Sequence, residues 1–408
     1  MKHDSDVLIA GGGLNGPALA LALADAGLTV TVIDAQPARA RGAEGFDGRA
    51  YALAIASQKL LAALGLWRDL AAEAQPMMEV KASDGRPGEG ASPLFLHFDS
   101  RELDQSPVGY MLEDRFLSRA LAEAMAVHPR VSLIAETSVT AQQPGAGGVT
   151  VTLSDGRSLT GRVLVGADGR RSGTAERAGI GREGWGYGQT ALVAAIAHEL
   201  PHNGIAQQFF MPGGPLAILP LTGNRSSIVW SEPDASARTI AALSDEDFLA
   251  VLRPRFGDFL GRIELAGPRF SYPLNLTLAK AYVAPRIALI GDAAHGVHPI
   301  AGQGLNLGLR DVAALAEILV DATRRGEDIG AIDVLERYQG WRRFDSTSLA
   351  LGMDTVNKLF SNDNPVLRPL RDLGMGVVQA LGPLRRGFMR QAAGLAGAQP
   401  RLLTGRAL

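Results

Sequence analysis

At 408 residues the chain exceeds one ordinary domain, and its 46% apolar content is enough to bury a large core. Forty basic residues against 42 acidic ones leave a net charge of -2, so no global positive field favours nucleic acid. The chain has no cysteine, which excludes disulfides, thiolate zinc sites, iron-sulfur clusters and a catalytic thiol.

Lys2 and His3 ahead of an apolar run imitate a signal peptide, but Asp4, Asp6 and Gly11 to Gly13 interrupt it, so a cytoplasmic location is expected. No stretch of about 18 apolar residues runs without glycine or charge, which argues against a spanning helix. Asp6 to Ala10 (DVLIA), three glycines, an alanine- and leucine-rich stretch and LTVTVID ending at Asp34 predict strand, tight turn, helix, strand. Gly11, Gly13 and Gly16 form a GxGxxG spacing that encloses Leu14 and Asn15. In that pattern the first glycine permits the turn, the second admits a pyrophosphate and the third packs helix on strand. Free amides at the helix start favour the phosphates. Asp34 closes the second strand where a ribose 2'-hydroxyl acceptor belongs, and its charge repels a 2'-phosphate. The dinucleotide expected at this loop is therefore FAD or NAD.

Val131 to Val165 predicts a β meander ending in the buried strand RVLVGAD. From about Gly181 to Ser271, short apolar segments separated by Pro and Gly (FFMPGGPLAILPL, RSSIVW) predict a second, antiparallel sheet. An amphipathic helix is expected between Ser244 and Phe259, with Ser244 as its cap and Asp247 at the fourth position. RIALIGDAAH returns to buried-strand character, and Gly304 to about Arg325 predicts a long helix. The second sheet thus interrupts the nucleotide domain. The expected limits are 1–75, 101–180 and 272–345 for the nucleotide domain, 76–100 and 181–271 for the sheet domain, and 346–408 for a helical C-terminal region.

Two further segments, RVLVGADGRRS (Arg162 to Ser172) and IALIGDAAHGVHPIAGQGLNLGLRD (Ile287 to Asp311), decide between FAD and NAD. With them the chain resembles, over nearly its whole length, the flavin-dependent aromatic hydroxylases of the para-hydroxybenzoate hydroxylase type, and more closely the ubiquinone-biosynthesis hydroxylases. Its most specific stretch is HPIAGQGLNLGLRD. The resemblance implies an α/β fold: a Rossmann-like FAD-binding domain with an inserted antiparallel β-sheet substrate domain and a helical C-terminal region. A strand ending in Gly291-Asp292 can set one carboxylate against the ribityl chain of FAD, which NAD has no atoms to require. Pro299 to Asn306 lead into a helix whose free amides can face the flavin pyrimidine, with Gly302, Gln303, Gly304, Leu305 and Asn306 as contacts. The resemblance further implies that Arg49 and Arg115 approach the phosphate and isoalloxazine region, and that Asp168 and Gly169 touch both FAD and a passing nicotinamide. Ala175 departs from the family pattern, where an arginine is common; Arg177 lies nearby.

The implied activity is hydroxylation of the aromatic ring of a polyprenylated phenol in ubiquinone biosynthesis, with NAD(P)H as a transient reductant and O2 activated as a flavin C4a-hydroperoxide. Hydroxylation of a small soluble phenol on the same fold is the alternative. Phe209, Phe210, Leu219 and Pro220 are expected in the pocket wall of the sheet domain. No catalytic base is legible. His295 and His298 lie inside the flavin motif without a third ligand, so no metal is expected. From Asp354 to Leu408 eight basic residues face three acidic ones, a net +5 against -7 for the remainder. There Leu384, Phe388, Ala392 and Leu395 share one helical face and Arg385, Arg386 and Arg390 point elsewhere. This predicts a helix that docks on the inner membrane face, on a biosynthetic partner, or on its own domain; oligomeric state is left open.

Overall fold

The computed structural model describes residues 3–37, 48–102, 107–297, 302–361 and 367–408. Its first sheet starts with β1 (Ser5–Ala10), α1 (Asn15–Asp25) and β2 (Val30–Ile33), the two strands pairing in parallel. Parallel strands covered on both sides read as unbroken apolar runs. Accordingly Val7 and Ile9 pack into the helical core while Leu8 and Ala10 join a separate cluster on the opposite side.

Next come β3 (Ala50–Ala54), α2 (Ile55–Ala63), α3 (Trp67–Leu70) and β4 (Gln75–Met77). The hairpin β5 (Glu79–Arg86) and β6 (Gly90–Asp99) leaves for the second sheet, and β7 (Gly109–Glu113) returns to pair with β3 and β4. After α4 (Asp114–Val127), β8 (Val131–Ile134) runs parallel to β2. The expected meander is β9 (Val139–Gly145), β10 (Gly148–Leu153) and β11 (Ser158–Gly166); β11 also runs parallel to β1. The meander's Val139, Val149, Val151 and Leu153 cover Leu8 and Ala10.

Past α5 (Gly173–Arg177) the chain enters β12 (Arg182–His198), β13 (Ile205–Met211), β14 (Gly214–Leu221) and β15 (Arg225–Pro233). Helices α6 (Asp234–Ala241) and α7 (Asp245–Phe256) follow, then β16 (Ile263–Leu265) and β17 (Phe270–Ala279). Ser244 caps α7 as expected, its Oγ accepting the Asp247 amide at 3.1 Å. The chain closes with β18 (Val283–Ala284), β19 (Ile287–Leu289), β20 (His295–Gly296), α8 (Gln303–Arg324), α9 (Ile332–Phe360), α10 (Leu367–Ala380) and α11 (Gly382–Ala392).

The first sheet has the order β18-β19-β11-β1-β2-β8, and the second β20-β17-β12-β15-β14-β13-β5-β6 with β16 on β12. The second sheet is antiparallel except between β13 and β5. It reaches past the expected limit at 271, because β17 continues to Ala279 and takes β20 as its partner. One face buries Leu192, Ile196, Phe209, Leu216, Ile228 and Trp230 under α6 and α7. The opposite face turns toward the nucleotide-binding half: Ala195, Ala206, Leu219 and Leu221 pack with Ala50, Ala52, Met77 and Met111. Phe209 therefore does not line a pocket between the halves, and Pro220, alternating with Leu219, shares its side. Phe210 and Leu219 do face inward, Phe210 stacking at 4.2 Å on Phe360 of α9.

Candidate functional site

The glycines of the first loop divide by what surrounds them. A Cβ on Gly11, whose φ is +109°, would lie 2.3 Å from the Ala167 carbonyl oxygen, and one on Gly16 would lie 2.0 Å from that of Gly11. Both glycines are required by the chain's own packing. Among the described residues a Cβ on Gly13 would meet nothing within 4 Å, so their packing does not require glycine there and leaves the backbone open to an external group. No side chain caps the start of α1, which leaves its first amides for an anion. Beside Gly12 and Gly13 a cleft of about 270 Å³ is lined by Asp34, Gln36, Ser118, Ala122, Ala126 and Leu133. That volume suits one end of an extended ligand. The contribution of α4 was missed from sequence, although Ser118, Ala122 and Ala126 recur every four residues as a small-residue stripe.

Asp34 is buried and accepts the Gln36 amide at 3.2 Å. Asn15 is wedged between α1, the turn at Gly291 and α8: a Cβ on Gly291 or Gly308 would meet its amide nitrogen at 2.2 or 2.3 Å. Its Oδ1 is buried without a hydrogen-bond donor among the described residues. An open cradle at Gly13, an acidic ribose acceptor and an orphaned acceptor at Asn15 fit a dinucleotide such as FAD.

The other motifs converge on the same side. Asp168 turns its carboxylate inward, accepting Ser172 Oγ at 2.5 Å and the Thr174 amide and hydroxyl at 2.9 Å, so it fixes the start of α5. What the 168–169 turn presents outward is backbone, with Gly169 at φ +76°. Asp292 accepts Arg170 Nε at 3.0 Å, and Arg170 also reaches Asn275 Oδ1 at 2.9 Å. Asn306 is buried with its amide fully used: Oδ1 accepts the Ala54 amide and Ser57 Oγ, and Nδ2 donates to the Ala52 and Gly302 carbonyls. Its side chain thus fastens β3 and α2 to the start of α8 and has no capacity left for a ligand. Gly302, at φ +61°, begins α8 without a side-chain cap, and its Cβ would lie 2.8 Å from that of Ala52. Gln303 is buried, Leu305 packs on the helical core, and among the described residues Gly304 has Val297 Cγ2 near its Cβ position, at 3.8 Å. Pro299 and His298 lie outside the described residues.

Arg49 and Arg115 stand together at the start of α4. Arg49 pairs with Asp114 at 3.1 Å and is half exposed; Arg115 donates Nε to Glu113 at 2.8 Å. Arg225 of β15 donates to the other Glu113 oxygen at 2.8 Å, tying the second sheet to the nucleotide-binding half. Sequence spacing carries no signal for this long-range pair.

Beneath the Gly291-Asp292 turn lies a fully buried ion network. Asp311 accepts His295 Nε2 at 2.5 Å, the Gly291 amide at 3.0 Å and Arg342 Nε at 2.9 Å. Burial pushes the His295 imidazolium down, but the charge and hydrogen bond of Asp311 outweigh it and hold its pKa above the ordinary 6.5. Burial pushes Asp311 up, and His295 and Arg342 outweigh it, holding the carboxyl below 3.8. The network shapes the turn that carries Asp292. Elsewhere Glu79, His97 and Asp99 come within 4.8 Å of one another, but Lys81 and Arg101 already neutralise the two carboxylates.

A family model described as FAD binding domain matches residues 4–343. The chain belongs to this FAD-binding family. It is 48% identical over 404 residues to a ubiquinone hydroxylase of Rhodospirillum rubrum, a match covering 98% of this chain and 93% of that one. It is 37% identical over 396 residues to the 3-demethoxyubiquinol 3-hydroxylase of Escherichia coli, covering 97% and 100%. Its fold matches the p-nitrophenol 4-monooxygenase of Pseudomonas putida with a TM-score of 0.80 at 20% identity, over 98% of this chain and 100% of that one. The protein is a flavin-dependent hydroxylase whose cofactor is FAD and whose reductant is NAD(P)H, as this family typically uses. No helix among the described residues is long and apolar enough to cross a membrane.

Proposed function

We propose that this FAD-binding protein hydroxylates the aromatic ring of a polyprenylated phenol in ubiquinone biosynthesis, using NAD(P)H and O2, at the inner face of the membrane. When bound, FAD supplies the redox chemistry that activates oxygen. The residues of the chain bind and orient. Gly13 and the amides of α1 take the pyrophosphate, Asp34 the ribose, Asp292 the ribityl chain, and the uncapped start of α8 favours negative charge on the flavin pyrimidine.

The observation that carries the substrate reading is the inner face of the second sheet. By register, Val193, Val229 and Ala217 lie side by side, as do Ala195, Ser227 and Leu219. None of these six side chains carries a charge, so this stretch of the wall disfavours a carboxylate against it, and Arg225, the next inward residue of β15, is already paired with Glu113 at 2.8 Å. The relatives named as ubiquinone hydroxylases support the same reading. The test is NADH and NADPH oxidation by the FAD-loaded protein, with product analysis, using a neutral alkylated phenol and a hydroxybenzoate. Ring hydroxylation coupled to oxidation with the neutral phenol is expected. Coupling with the hydroxybenzoate alone would overturn the substrate reading.

A further inference from the structure

The basic C-terminal region is tied to the fold more closely than its sequence predicts. Arg385 pairs with Glu102 at 2.6 Å and Arg401 with Asp321 at 2.5 Å, and α11 ends at Ala392, so Leu395 lies beyond its face. An irregularity in β12 points to chemistry instead. Its pairing with β17 slips: Gly186 stands opposite Asn275 and Thr190 opposite Pro273, so three residues of β12 span the single residue Leu274. Gly188, at φ +63°, lets the backbone make this bulge. Bulges of this kind re-aim side chains and recur beside active sites.

Two side chains are re-aimed here. Gln189 accepts Asn357 Nδ2 of α9 at 3.2 Å and donates to the Gly213 carbonyl at 2.9 Å. Tyr187 is set between two apolar clusters. One is the inner sheet face around Ala191, Val193 and Leu274; the other contains Val297 and Leu307, from the segment before α8 and its first turn. The bulge also adjoins the turn assigned to the flavin, since Asn275, opposite Gly186, accepts Arg170, which holds Asp292.

Beside Tyr187 lies a buried carboxylate. Asp354 of α9 accepts Trp185 Nε1 at 3.1 Å and pairs with Lys358 at 2.9 Å. Burial pushes the Tyr187 hydroxyl well above its ordinary pKa, and the charge of Asp354 adds to the effect. The hydroxyl therefore stays neutral, and with its proton drawn toward Asp354 its oxygen is a hydrogen-bond acceptor.

We propose that Tyr187 receives the hydroxyl of the substrate phenol, which donates to Tyr187 Oη while Tyr187 donates to Asp354. Both protons stay on their oxygens. As the ring is oxygenated, positive charge develops on the phenol oxygen, and the chain of hydrogen bonds ending at Asp354 stabilises it. A carboxylate in the same place has no proton to donate and meets the charge of Asp354. The assignment rests on the proposed phenol substrate.

Tyr187→Phe keeps the ring and its packing and removes the oxygen. The test compares a neutral alkylated phenol with its methyl ether, first as ligands of the FAD-loaded full chain without reductant, by flavin fluorescence titration, and then as substrates. The parent should bind the phenol about tenfold or more tighter than the ether, because the ether leaves the buried acceptor without a donor. In Tyr187→Phe the binding ratio should fall toward one and the ratio of kcat/KM should narrow, with flavin content kept. Asp354→Asn retains an acceptor without the charge and should narrow both ratios by less. Unchanged ratios in Tyr187→Phe, or loss of its flavin, would overturn the assignment alone. A parent that neither binds nor hydroxylates the phenol would overturn the substrate reading and this assignment with it.

Discussion

Single glycines separate what the fold needs from what the ligand needs. Gly13→Val adds its side chain to open space, so the folded chain should keep its thermal stability while FAD binding is lost, as flavin absorbance after gel filtration will report. Gly16→Val drives a Cβ into the Gly11 carbonyl and should destabilise the apo chain itself. Equal loss of stability in both variants would refute that division. At Asp292, removal of the carboxylate deprives a ribityl hydroxyl of a charged acceptor, and Asp292→Ala should weaken FAD binding roughly 10- to 100-fold. Arg170→Ala leaves that carboxylate in place and should weaken FAD binding less, which fluorescence titration of the two variants checks.

At the scale of elements, α8 and α9 grip the Gly291-Asp292 turn through Asp311 and Arg342. Asp311→Asn removes the carboxylate between the buried His295 and Arg342, leaving Arg342 only Asp345 at 2.6 Å, and should cost about 3 kcal/mol of apo stability, measured by denaturant unfolding. The raised pKa of His295 contributes stability that is complete below 6.5 and lost as pH rises through its higher folded value. The lowered pKa of Asp311 contributes stability present above 3.8 and lost as pH falls through its lower folded value. Stability should therefore be greatest between these limits, and Asp311→Asn should flatten both arms of the pH profile; an unchanged profile would remove the pair from this role. Much at this scale was legible in sequence. The glycine loop, Asp34, the meander and the Ser244 cap depend on neighbours close in the chain, where spacing carries the information. Phe209 and Phe210 were not separable, because one residue of register decides which face each joins and only strand pairing fixes register. Arg170 with Asp292 and Arg225 with Glu113 join segments more than a hundred residues apart, beyond any local pattern.

Across the whole molecule, the Glu113 carboxylate holds Arg115 of the nucleotide-binding half and Arg225 of the second sheet. Between the halves, β3, the start of α8 and the apolar stretch of the sheet's inner face converge, with Arg225 at its end held by Glu113. That arrangement predicts a substrate preference: neutral alkylated phenols should exceed carboxylated phenols in kcat/KM by about tenfold or more, since an unpaired carboxylate at an apolar wall is costly to desolvate. Leu219→Arg should narrow or reverse the preference, and an unaltered ratio would place the ring elsewhere. The most direct measurement follows the oxygen itself. The FAD-loaded protein, given NAD(P)H and a neutral prenylated phenol under 18O2, should yield a product carrying one 18O on the ring, with NAD(P)H oxidation stimulated by the phenol. NAD(P)H consumed without a labelled product, or label arriving from water, would contradict its assignment as a hydroxylase of such a phenol.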